Sequence, residues 1–100
     1  MGNVEKIKSP KNTVDFNKPV MGYDGTPEPE SNLGKVVAPI IGSNTQGDAW
    51  KFGSWAMDVY QGKVLELDDS DFKALKEWLK TAQVVAMIRM QVLQVLDGVR

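Results

Sequence analysis

The chain has 100 residues, of which 42% are hydrophobic and 25% charged, and its formal net charge at pH 7 is −1. This length and composition fit one globular domain with a single core, and the balanced charge argues against binding duplex nucleic acid through its phosphates. The absence of cysteine and histidine excludes disulfides, zinc sites built on thiolate or imidazole, and nucleophilic catalysis of the Ser-His-Asp or Cys-His type.

The N-terminal part is predicted to be a polar arm followed by a small β element. Residues 1–12 are polar and lack an apolar signal segment, so we expect a flexible arm there and a single globular domain over residues 13–100. Alternating residues at 14–16 and an apolar stretch at 20–23 precede the turn signal of Asp24 and Gly25. We predict a β-hairpin, built either from these two strands or from 20–23 and a short return.

The first predicted helix opens at Leu33 and ends near Gly42. Asn32 or Ser31 is expected to cap its start. Pro39 should make it short or kinked, because proline removes a backbone hydrogen bond inside a helix. The run VVAPII is rich in β-branched residues, so a strand is the competing prediction there.

The second predicted helix starts at Gly47-Asp48, with Thr45 or Asp48 as its expected cap, stops at Gly62 and is apolar over a wide arc. Trp50 and Trp55 are separated by about 140° around it, so we expect one in the core and the other against a partner. Gly53 costs about 1 kcal/mol relative to alanine inside a helix. A close approach of another helix at Gly53 is the predicted reason for its presence.

A short strand at 63–67 and a well-marked helix follow. The N-terminal β element is the expected partner of the strand. Asp68 is expected to cap the helix, with Asp71 placed as in a capping box, and one apolar face turns toward a core. Capping accounts for the three carboxylates at 68–71, so no metal site is predicted there.

The last predicted helix, 83–97, is apolar on most of its surface. Its narrow polar stripe consists of four residues, Gln83, Gln91, Gln94 and Asp97. Such a helix must be covered on more than one side, and a chain of 100 residues offers few elements to do so. We therefore expect a homo-oligomer, with a dimer as the simplest case.

Arg89 points away from that polar stripe and has three interpretations. Its side chain reaches solvent, pairs with a buried carboxylate such as Asp58 or Glu66, or lines a subunit interface or an anion-binding pocket. An unpaired buried guanidinium is too costly to persist, so an ion pair or an interface role is preferred over ligand binding. The predicted interface comprises Trp50, Trp55, Val85, Ile88, Arg89, Val92 and Val95.

The order of segments from Leu33 onward resembles small proteins encoded in tailed-phage and prophage genomes. The segments are LGKVV, GDAWKFGSWAMDVYQG, VLELDDSDFKALKEWL and a closing QVLQVLD. The similarity covers residues 14–96, and Pro39 departs from it, because a plain helix former stands there in the pattern. The resemblance implies a phage accessory protein in the bacterial cytoplasm and supplies no activity.

These features together predict a helix-dominated α+β domain with a small N-terminal β-hairpin and about four helical segments, the last two antiparallel. No stretch approaches the roughly 18 apolar residues of a membrane span. No cofactor is expected, and without a catalytic motif the protein is not expected to be an enzyme.

The expected function is binding to a host or phage protein as an oligomeric module. Two alternatives are sequestration of a small nucleotide signal as a counter-defence, with Arg89 as the phosphate ligand, and a role as a virion or assembly component.

Overall fold

The computed structural model describes residues 12–99. In chain order the elements are β1 (Asn12–Val14), α1 (Leu33–Gly42), α2 (Ala49–Tyr60), β2 (Leu65–Leu67), α3 (Asp69–Thr81) and α4 (Ala86–Asp97). The helix-dominated α+β fold is confirmed, with four helices and a small sheet in this part of the chain. The predicted arm lies outside the described residues except for Asn12, the first residue of β1.

The sheet pairs its strands differently from the predicted hairpin. β1 runs antiparallel to β2, with Val14 opposite Leu65, so the strand predicted at 63–67 is present and takes the N-terminal strand as its partner. Val14 and Leu65 are both buried. Their shared burial in the core favours this long-range pairing over a local hairpin with residues 20–23.

Residues 20–23 form a small return of their own. Met21 makes an antiparallel bridge to Pro27, and the Gly22 N–H donates to the Thr26 carbonyl at 2.9 Å. Of the two predicted hairpins, the one built from 20–23 and a short return matches this arrangement, reduced to a single bridge around Gly25.

The predicted caps of the first three helices are confirmed. The side chains of Asn32, Asp48 and Asp68 each accept a hydrogen bond from a backbone N–H in the first turn of α1, α2 and α3. Pro39 lies inside α1, so the strand predicted as an alternative for VVAPII is wrong. The helix forms because Val37 and Ile41, four residues apart, are both buried in the core.

α1 and α2 pack closely at glycines other than the one predicted. A Cβ atom at Gly34 would lie 2.8 Å from the Val59 carbonyl oxygen, and one at Gly42 would lie 3.4 Å from the Ala56 Cβ. A Cβ at Gly53 would have no described neighbour within 4 Å. The close approach predicted at Gly53 is therefore wrong, and the contact between the helices depends on Gly34 instead.

α3 and α4 pack against each other and contribute to a shared core. Lys76 in the middle of α3 lies 2.9 Å from Asp97 at the end of α4, so the chain reverses direction between them. α4 begins at Ala86 rather than at residue 83, because the reversal occupies residues 82–85. The core draws on both strands and all four helices. Its largest fully buried side chains include Phe16, Leu33, Ile41, Leu75, Leu79 and Leu96.

Candidate interaction surfaces

The outer side of α2 carries three large, exposed hydrophobic side chains. Trp50 is 88% exposed, Met57 63% and Tyr60 52%. Together with Gly53 they recur at intervals of three, four and three residues, which places them on one side of the helix. We call these four residues the α2 stripe.

The inner side of α2 explains why the stripe stays exposed. Phe52, Trp55 and Val59 are buried in the core, and the rings of Phe52 and Trp55 have their centroids 4.9 Å apart. α2 meets the core through this inner side, so its outer side points away from the core. No segment within residues 12–99 covers that outer side. The prediction that Trp50 and Trp55 lie on different sides of the helix is confirmed.

A groove of about 480 Å³ between α1 and α2 adjoins the stripe. Its lining is mainly apolar and consists of Ala38, Pro39, Gly42, Ala56, Met57, Tyr60 and Gln61. Met57 and Tyr60 belong to both features, so the groove and the stripe form one continuous surface. Lys35 Nζ lies 4.1 Å from the centroid of the Tyr60 ring, and this cation–π contact helps to hold the ring in place.

Gln91 on α4 is buried rather than exposed. It is only 5% exposed, its Oε1 accepts from the Met21 N–H at 2.8 Å, and its Nε2 donates to the Met21 carbonyl at 3.0 Å. A side-chain amide offers one acceptor and two donors, so Gln91 pairs with the Met21 backbone as a neighbouring strand would. The predicted polar stripe is therefore wrong at Gln91, and the segment carrying Met21 covers this side of α4.

Arg89 lies at the edge of the exposed side of α4. Its Nη2 donates to the Ala82 carbonyl at 2.7 Å, while its Nε is buried and has no hydrogen-bond partner in the described part of the chain. The ion pairs of that part do not include Arg89; Asp58, for example, lies 4.0 Å from Lys63. The interpretation in which Arg89 pairs with Asp58 or Glu66 is therefore wrong.

Arg89 also lines a depression of about 400 Å³ on the exposed side of α4, which we call the α4 depression. Its lining residues are Ala86, Arg89, Met90, Leu93, Gln94 and Asp97. Asp97, whose carboxylate is also paired with Lys76, lines the same depression as Arg89. A carboxylate disfavours a phosphate ligand in this depression, whereas a partner that carries both charges is suited to it.

The carboxylates at the start of α3 have structural partners. Asp69 Oδ1 accepts from Asn12 Nδ2 at 3.0 Å, and Asp71 Oδ1 accepts from Lys51 Nζ at 2.8 Å. The hydrogen bond to Asp71 raises the pKa of Lys51 above its ordinary value of 10.5. Together with the cap formed by Asp68, these contacts explain the acidic cluster as structure, and they also connect α2 to α3.

The predicted interface residues divide between the surface and the core. Trp50 and Val85 are exposed; Ile88, Arg89 and Val95 are half-buried; Trp55 and Val92 are buried in the core of the chain itself. Trp55 and Val92 therefore offer almost no surface to a partner. The sequence analysis missed Met57, Tyr60 and Met90, which are exposed. Their apolar character was visible, but periodicity does not indicate which side of a helix meets the core.

A scan of protein-family models, a search of curated proteins and a search of solved structures each found no match to this chain. The resemblance to phage proteins therefore stays a prediction. Within the described residues, no helix has the length and apolar character of a membrane span. Two exposed surfaces of the described residues bear on function, the α2 stripe with its groove and the α4 depression.

Proposed function

We propose that the protein is a phage accessory protein without catalytic activity, which acts in the bacterial cytoplasm as a homo-oligomeric module that binds a host or phage protein. The observation that supports binding is the α2 stripe and its continuity with the groove between α1 and α2. The α4 depression is a second exposed surface and supports the oligomeric part of the proposal.

The size and composition of the α2 stripe are typical of a binding surface. Two aromatic side chains and a methionine offer on the order of 400 Å² of accessible area. This is the size of the largest apolar patch on a typical monomeric protein, and such a patch is often functional. Tryptophan, tyrosine and methionine are enriched at protein interfaces, and tryptophan and tyrosine dominate binding energy there. A partner that stacks on Trp50 and inserts an apolar side chain into the groove would bury this area.

The test is recovery of partners from a bacterial extract by the tagged protein, measured by quantitative mass spectrometry. The variant Trp50→Glu/Met57→Glu places two charges on the α2 stripe and leaves the core untouched. We expect it to lose proteins that the wild type retains, because a charge buried without a partner at an interface is strongly unfavourable.

The matched control is Val64→Glu, which places a charge at an exposed apolar residue outside the stripe. It is expected to retain the same proteins as the wild type. Circular dichroism has to show that all variants keep the helical fold. A set of retained proteins that is the same for all three chains would contradict the proposal that the α2 stripe binds a partner.

A further inference from the structure

We infer that two copies of this chain associate through the exposed side of α4, with the two α4 helices antiparallel and Arg89 of each copy paired with Asp97 of the other. The inference rests on the homo-oligomer of the proposed function and names its interface. It concerns a surface separate from the α2 stripe, so both surfaces can be occupied at once.

The exposed side of α4 has the spacing of a helix-pairing seam. Ala86, Met90, Leu93 and Asp97 all line the α4 depression, and they follow one another at intervals of four, three and four residues. This is the spacing of the a and d positions of a heptad, which pack against a second helix. The opposite side of α4 is buried in the core through Val92 and Leu96, so the seam is the side left for another helix.

Two-fold symmetry restricts how two such seams can meet. In an antiparallel pair, a positions of one helix lie opposite d positions of the other, and every contact occurs twice. The register centred on the seam places Met90 opposite Leu93 of the second copy, and Ala86 opposite Asp97 of the second copy. The apolar residues then meet at the centre, and the carboxylates lie at the two ends.

Charge selects this antiparallel arrangement. The bond from Arg89 Nη2 to the Ala82 carbonyl at 2.7 Å shows that the side chain runs toward the N-terminal end of α4, which places the guanidinium near the level of Ala86. Asp97 of the second copy faces Ala86 in the register above, so its carboxylate comes within reach of the guanidinium. A parallel pair would bring like charges together, which is unfavourable.

Both charged groups have capacity for the new pair. The side chain of Asp97 is 65% exposed although Lys76 Nζ lies 2.9 Å from its Oδ1, and a carboxylate accepts several hydrogen bonds. A guanidinium has five N–H donors, and the bond to Ala82 uses one of Arg89's. A helix pair of three turns is smaller than a standard interface, so we expect a reversible dimer that dissociates in the micromolar range.

The first test is reversal of the charges, read by sedimentation equilibrium from low micromolar to near-millimolar concentration. Arg89→Glu and Asp97→Arg are each expected to weaken the dimer by about tenfold or more, because each change places like charges opposite one another. The double variant Arg89→Glu/Asp97→Arg restores opposite charges and is expected to restore the dimer. Lys76→Gln removes the partner of Asp97 within the chain and serves as the control that keeps the dimer.

The second test does not depend on how the charge variants fold. The chain contains no cysteine, so a single introduced cysteine is the only thiol. Met90→Cys lies near the proposed two-fold axis and is expected to cross-link copy to copy with a short bifunctional thiol reagent. Trp50→Cys, on the exposed α2 stripe, is expected to remain largely uncross-linked under the same conditions.

The outcomes separate this inference from the proposed function. A wild-type dimer whose charge-reversal double variant stays as weak as the single variants, or which cross-links through Trp50→Cys and not through Met90→Cys, overturns the α4 interface and leaves the homo-oligomer intact. A wild type that sediments as a monomer throughout the concentration range overturns both the interface and the oligomeric part of the proposed function. Binding of a different protein to the tagged chain through the α2 stripe would survive either result.

Discussion

α2 and α4 share one feature of their sequences but lie in different environments in the structure. Each has hydrophobic residues on more of its surface than one core contact requires. In α2 the surplus remains exposed at Trp50, Met57 and Tyr60. In α4 much of it is covered by the chain's own segment around Met21, which Gln91 holds in place through two hydrogen bonds.

The difference shows that a wide apolar arc on a helix predicts that other residues cover it, but does not identify which residues do so. For α4 the cover is partly supplied by a segment that lies 70 residues away in sequence, and only a narrow seam is left for a second copy. For α2 no described segment supplies it, so the stripe is the stronger candidate for a foreign partner. Gln91 creates this difference, because its side chain supplies the hydrogen-bond partners of the Met21 N–H and carbonyl and so holds that segment against α4.

The largest expected effect comes from removing the two hydrogen bonds that hold the Met21 segment against α4. Gln91→Leu keeps the side chain's approximate size but deprives the Met21 N–H and carbonyl of their partners. Leaving a buried polar group without a partner costs about 1–3 kcal/mol. Because the two bonds are only partly buried, we expect the variant to lose about 2–3 kcal/mol of unfolding free energy in urea titration. Hydrogen exchange should show a faster-exchanging Met21 amide.

The control is Gln83→Leu, the same change at an exposed glutamine that precedes α4 and does not line the α4 depression. Exposed substitutions usually change stability by less than about 0.5 kcal/mol, so this variant should unfold like the wild type. Equal losses in the two variants would mean that Gln91 does not hold the Met21 segment, and the contrast between α2 and α4 would disappear.

An intermediate effect is expected at two glycines, one where α1 contacts α2 and the other on the exposed side of α2. Gly34→Ala introduces a Cβ that would lie 2.8 Å from the Val59 carbonyl oxygen, so the helices must separate at a cost of about 1–3 kcal/mol. A Cβ at Gly53 meets no atom of residues 12–99 within 4 Å, and alanine improves helix propensity, so Gly53→Ala is expected to gain about 0.5–1 kcal/mol. Thermal unfolding of the two variants measures both effects. Destabilisation by Gly53→Ala would show that the α2 stripe is covered after all.

The smallest effect concerns the surface pair that connects α2 to α3. Asp71 raises the pKa of Lys51 above its ordinary value of 10.5. Because the folded-state pKa is the higher one, the pair's contribution to stability is fully present below about pH 10.5 and is lost as the pH rises through the raised pKa. Lys51→Met should therefore melt slightly below the wild type near neutral pH, and the two melting temperatures should converge at the alkaline end.

Lys63→Met is the matched control for that comparison, because Lys63 Nζ lies 4.0 Å from Asp58 and both side chains are exposed. Its melting temperature should stay close to that of the wild type at every pH. A gap between Lys51→Met and the wild type that does not change with pH would show that the ion pair is not its cause.

Much of the local structure was predictable because its causes lie within a few residues of each other. Asn32, Asp48 and Asp68 each cap a helix through a backbone N–H two or three residues further along. The starts of α1, α2 and α3 were therefore predicted correctly. α4 has no side-chain cap at Val85, and its start was predicted three residues too early.

The candidate surfaces were predicted only in part. Trp50 and Trp55 were expected on different sides of α2, one of them at a partner, and the structure shows that Trp50 is the exposed one. Met57 and Tyr60 were missed, since their exposure depends on α1 packing beside α2 through Gly34. Arg89 was recognised as unusual, but its contact with the Ala82 carbonyl depends on the turn between α3 and α4.

The sequence by itself determined the helix caps, the apolar faces of α3 and the separation of Trp50 from Trp55. These features follow from hydrogen bonds and helix geometry among residues that are close together in the sequence, so they do not depend on how distant segments pack. Only the tertiary structure decided the pairing of β1 with β2, the burial of Gln91 against Met21 and the openness of Gly53. Each of these depends on which distant segment offers the better burial or the missing hydrogen bond, and that is settled when the whole chain competes for one core.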